Sequence, residues 1–84
     1  MPEIEVGTVT HFFPRPVVAG IDLTAPLNVG DRIHIKGHTT DFEDQIQSMQ
    51  IENQPVEKAE VGQLIGIKVK DRVREKDVVY KIIG

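Results

Sequence analysis

The stretch Val29-Gly30-Asp31 followed by Arg32-Ile33-His34-Ile35-Lys36 constrains this chain more than any other. Glycine accepts the backbone of a tight turn and aspartate bonds nearby amides, so 29–31 reads as a turn. After it, Ile33 and Ile35 alternate with Arg32, His34 and Lys36, the period of two of a strand with one buried and one wet face. Gly37 ends the strand. The same grammar recurs along the chain. A first strand is expected over 4–13, with Ile4, Val6, Thr8, Thr10 and Phe12 on one face and a bend or bulge at Gly7. Phe13-Pro14-Arg15-Pro16 closes it, because prolines donate nothing to a ladder. A second strand over 17–23 sets Val17, Ala19, Ile21 and Leu23 on one face and Val18, Gly20 and Asp22 on the other. A long fourth covers Phe42 to Asn53, bulged where the apolar parity changes between Ile46 and Met49. Residues 54–62 read as a connector, with Val56, Ala59 and Val61 over one end of the fold. A fifth strand over 64–70 turns Ile65, Ile67 and Val69 inward. A charged loop anchored by Val73 leads to the last strand, 77–83. Six short strands separated by turn residues indicate an all-β barrel or sandwich, read here as one antiparallel barrel over 1–84.

Length and composition narrow the classes. Eighty-four residues make one small domain with a modest core. There is no cysteine, which removes disulfides and thiolate metal sites and suits the cytoplasm. No apolar run approaches a membrane span, and the first residues lack the basic and apolar parts of a signal peptide. The net charge of −3 is unevenly placed: residues 1–67 carry −6 and residues 68–84 carry +3. A local basic patch can engage phosphates even on an acidic protein; the alternative is a solvated face.

Three blocks carry a family resemblance. Leu27-Asn28-Val29-Gly30-Asp31-Arg32-Ile33-His34-Ile35 resembles the "L-x-V-G-D-x-I-x-I" block in domain 2 of the translational GTPases, such as elongation factor Tu. Ser48-Met49-Gln50-Ile51, with Pro55 through Gly66, resembles that domain's next block, ending "A-x-x-G-x-x-V-G". Ile67-Lys68-Val69 through Val79 resembles its closing strand, charged loop and strand. The chain is also similar to small stand-alone translation-factor-like proteins and to the C-terminal barrel of the U32 peptidase-related proteins. The resemblance implies a six-stranded closed antiparallel Greek-key barrel. It also implies a translation-factor-like module that contacts RNA or a ribonucleoprotein. The alternative is a protein-interaction barrel docking onto a partner enzyme such as a U32 peptidase-related protein. Phe13-Pro14-Arg15-Pro16 stands where the family has a Gly-Arg-Gly segment. No G-x-x-x-x-G-K-[ST] loop exists to cradle phosphates, so GTP is not an expected ligand.

The candidate nucleic-acid-binding set is His34, Lys36, Lys68, Lys70, Arg72 and Arg74, because their cations neutralise phosphates and arginine also stacks on bases. Expected partners are RNA (tRNA or rRNA), a ribonucleoprotein or a partner protein, with no membrane. His34 and His38 lie about 13 Å apart along a strand, too far for one metal ion, and His11 is the only other histidine. Asp41, Glu43 and Asp44 read as a polar rim, and the single serine, Ser48, lacks a nucleophile elbow. The sequence therefore predicts no catalytic residues, no metal, no cofactor and no enzyme.

Overall fold

Val6, Val9 and Phe12 all face the core, at intervals of three that a regular strand cannot bury. The computed structural model, which describes residues 2–15 and 17–83, resolves this with two bulges in β1 (Glu3–Pro14). Pairing with the last strand shifts between Glu5 and Gly7, and pairing with the second shifts between Val9 and His11. Each bulge sets one extra residue on β1 and turns the side chains after it. The expected face of Ile4, Val6, Thr8, Thr10 and Phe12 is thereby corrected, with Ile4 exposed and Val9 buried. Gly7 is required by close approach: a β-carbon there would stand 2.7 Å from Ile21 Cγ2 and 2.8 Å from the Asp22 carbonyl oxygen. Of the expected stop at 13–16, Pro16 lies outside the described residues.

β2 (Val17–Leu23) buries Ala19, Ile21 and Leu23, while Val17 is exposed. β3 (Leu27–Asn28) leads into the 29–31 turn, where Gly30 has φ +97°. β4 (Arg32–Lys36) buries Ile33 and Ile35, as the alternation predicts.

The expected long strand over 42–53 is corrected. It is two strands, β5 (Asp41–Gln45) and β6 (Met49–Ile51), and they lie far apart in the sheet. Ile46 and Met49 are both buried at an odd spacing, so the chain leaves one ladder before joining another. Backbone bonds fasten the break to the 29–31 turn: the Ile46 N–H donates to the Asp31 oxygen at 2.9 Å, and the Gly30 N–H to the Ile46 oxygen at 2.8 Å. Glu52 and Asn53, both at positive φ, then turn the chain into β7 (Gln54–Val56). β8 (Lys58–Ala59) pairs with β3 and buries Ala59 against Leu27, whereas Val61 is exposed. β9 (Leu64–Lys68) buries Ile65 and Ile67, and β10 (Val78–Ile82) buries Val79.

All ladders are antiparallel. Eight strands join in the order β5-β4-β10-β1-β2-β9-β6-β7 around one apolar core. The described residues thus form ten strands rather than six. The row has two ends, β5 and β7, so the expected closed six-stranded barrel is not found. No helix among them is long and apolar enough to cross a membrane.

Candidate functional site

The expected basic set divides in two. His34 and Lys36 lie on β4, separated by three intervening strands from β9 and Lys68. His34 is held between two carboxylates, with Nδ1 2.7 Å from Glu3 Oε2 and Nε2 2.5 Å from Asp41 Oδ1. The bond from Asp41 raises the imidazole above its ordinary pKa, opposed by burial and aided by Glu3. The same bond lowers the Asp41 carboxyl, with smaller help from the His34 and Lys36 charges. His34 is therefore committed to an internal clamp joining β1, β4 and β5, a geometry no sequence spacing announces.

Lys70, Arg72 and Arg74 gather where the charged loop 69–77 meets the ends of β1 and β5. The Lys70 N–H donates to Asp44 Oδ2 at 2.9 Å. Its ammonium stands 6.0 Å above the Phe42 ring centroid, and the Arg72 guanidinium 5.9 Å above that of Phe12. These distances sit at the outer limit of cation–π attraction, and the rings hold both cations over apolar surface. Two hollows, of about 460 Å³ and 270 Å³, open on either side of Arg72. Among the described residues, Lys68, Lys70, Arg72 and Arg74 form no ion pair, and all four are exposed. Val73, 1% exposed, anchors the loop in the core.

Sequence reasoning missed a second surface. The outer faces of β1, β2, β9 and β6 enclose a trough of about 530 Å³. Register places His11, Gly20, Gly66 and Gln50 side by side across the four strands. The second bulge turns His11 and Phe13 outward together, with ring centroids 6.2 Å apart and planes within 11°. Glycine inside a strand is the one signal that pointed here. No three His, Cys, Asp or Glu side chains among the described residues converge to hold a metal ion.

No protein-family model matches the chain. It is 43% identical over 79 residues to an uncharacterized protease of Methanocaldococcus jannaschii, covering 93% of this chain and 19% of that protein. It is 40% identical over 81 residues to a collagenase of Porphyromonas gingivalis, covering 94% of this chain and 20% of that protein. The chain thus spans about a fifth of the length of the curated relatives it matches. Its fold is that of the C-terminal domain of a Geobacillus thermoleovorans protein named as a U32 peptidase. The TM-score is 0.87 at 20% identity, over 93% of this chain and 91% of that one. A selenomethionine form of the same domain gives 0.85 at 19% identity, over 89% and 95%.

These findings correct two expectations. The expectation of no enzyme is contradicted, because the relatives are named as a protease and a collagenase. The translation-factor and RNA-binding reading is contradicted as well: the similarity runs to U32-type proteins and gives the elongation-factor resemblance no support.

Proposed function

We propose that this chain serves as a domain of U32 peptidase-related enzymes and docks onto their catalytic partner. The observation that carries this is one of proportion. More than nine-tenths of the chain matches about a fifth of relatives named as a protease and a collagenase. A fold this similar stands as a separate domain at the C-terminal end of a U32 peptidase. The basic end supports docking. Lys70, Arg72 and Arg74 form no ion pair among the described residues, and two of them stand over aromatic rings; such a patch suits an acidic protein surface, speeds encounter and fixes orientation.

Analytical size exclusion tests the reading. The purified chain is mixed with a full-length U32 peptidase-related protein from the same genome, at low and at physiological salt. The chain should co-elute with the enzyme, and Lys70→Ala with Arg72→Ala should weaken the complex about tenfold or more, as expected for charges at a rim. A chain that elutes alone at low salt and tens of micromolar, on the order of a weak protein complex, would overturn it.

A further inference from the structure

The trough on the β1-β2-β9-β6 face has a floor that packing does not explain. Gly20 and Gly66 face each other in register, each mid-strand, where glycine is less stable than alanine by about 0.5–1 kcal/mol. Gly20 lies under His11, whose Cβ would be 3.2 Å from a β-carbon placed there. Gly66 has no such neighbour. A β-carbon on it would meet only Val18 Cγ1, at an ordinary 3.5 Å. Its φ is not in the left-handed region either, so neither the backbone nor the core demands a glycine. What the missing side chain leaves is open floor.

The walls have a chemistry. His11 and Phe13 stand stacked on the β1 side, and Gln50 with Glu52 on the β6 side. Phe13 and Leu64, 52% and 54% exposed, frame the floor. Charge runs along the trough. At one end, Arg15 lines the wall and Lys68 lies across from Val18. At the other, Asp22 lies across from Leu64, and Glu52 stands at the β6–β7 turn. Val18 and Asp22 are four strand residues apart, about 13 Å, with Gly20 midway. Wall to wall, three strand spacings give about 14 Å, room for one extended chain.

We propose that this trough binds a short extended peptide with an acidic and a basic residue four positions apart and a bulky apolar side chain midway between them. The acidic residue lies toward Arg15 and Lys68, the basic one toward Asp22 and Glu52, and the apolar side chain rests on Gly66 beside Phe13. The footprint decides against a second folded surface. A stable protein interface buries about 800 Å² on each partner around an apolar centre, and two exposed apolar side chains do not supply that. The occupant is a segment of the enzyme's polypeptide substrate, a choice of source that rests on the peptidase-related reading above.

Nitrogen-15 NMR of the whole chain tests this, because the Gly20 and Gly66 amides report directly from the floor. The probes are the blocked pentapeptide Glu-Thr-Phe-Thr-Lys and its reverse, Lys-Thr-Phe-Thr-Glu, which together cover both chain directions. At least one should shift Gly66, Gly20 and Val18, saturating at an affinity on the order of 0.1–1 mM. Replacing its phenylalanine by glycine, or both charged residues by glutamine, should weaken it at least about fivefold. Gly66→Val fills the floor and should abolish the shifts in a protein whose remaining spectrum is that of the folded chain. Leu64→Ser, at an exposed position, should weaken them. Unchanged binding by Gly66→Val, equal shifts from the glycine peptide, or shifts confined to the 69–77 loop would each overturn the proposal. If the chain co-elutes with the enzyme but no peptide moves Gly66, the trough falls and docking stands. If a peptide binds as described but the chain never co-elutes, the trough stands and the substrate source falls.

Discussion

Asp77 fixes the charged loop in place. It is 4% exposed, and its Oδ2 accepts the Arg74 N–H at 2.8 Å, while its own carbonyl accepts the Val9 N–H at 2.8 Å. Asp77→Ala would strand the Arg74 donor and should cost about 1–3 kcal/mol. In a domain of this size that is a fall in Tm of about 4–8 °C per kcal/mol, read by thermal unfolding. Gly37 is the counterpart, since a β-carbon there would overlap Asp77 Oδ1. Gly37→Ala should therefore destabilise by about 1–3 kcal/mol through overpacking, and an unchanged Tm would show that the carboxylate moves freely. His34 carries a pH signature. Its pKa is raised, so its contribution is complete below the ordinary value of 6.5 and is lost as pH rises through the folded value. The pKa of Asp41 is lowered, so its contribution is complete above 3.8 and is lost as pH falls through its folded value. The Tm advantage of wild type over His34→Gln should be greatest between those two ordinary values and shrink toward alkaline pH. A gap that widens toward alkaline pH would contradict the clamp.

At the scale of elements, the strands whose faces alternate without interruption were the legible ones. β4 matches the sequence reading residue for residue, β2 matches it at Ala19, Ile21 and Leu23 but not at the exposed Val17, and Ile65, Ile67 and Val69 point inward as read. Ile67→Ala should cost about 2–5 kcal/mol, measured by denaturant unfolding, and a near-neutral result would place that face wrongly. What the sequence hid were the departures from period two. In β1, apolar residues at intervals of three are compatible with a bulge at several positions, and only the partners' register selects two of them. In 41–53 the parity change at Ile46 and Met49 was visible. Whether a strand bends or breaks there depends on what receives the free edge, and β9 receives β6. The Glu52-Asn53 turn was missed because glutamate is an unusual residue at positive φ.

For the whole molecule, the charge split is legible as a basic patch. It pointed to 68–84, and the structure gathers Lys70, Arg72 and Arg74 around one end of the fold, over Phe42 and Phe12. It could not show that His34 is already held by Glu3 and Asp41, since Glu3 is distant in sequence and both carboxylates reach the ring only through the ladders of β4. Nor could it show the trough, whose two floor glycines belong to different strands and face each other only by register. Two surfaces with different chemistry on one small domain fit a part that is held by one polypeptide and touches another. Hydrogen–deuterium exchange on the chain, alone and with a full-length U32 peptidase-related enzyme, tests the docking claim most directly. The account predicts that amides of the 69–76 segment and the adjoining ends of β1 and β5 slow on addition of the enzyme. Protection there should be lost in the Lys70→Ala, Arg72→Ala variant. Exchange unchanged by the enzyme, or protection confined to the β6–β7 edge, would contradict it.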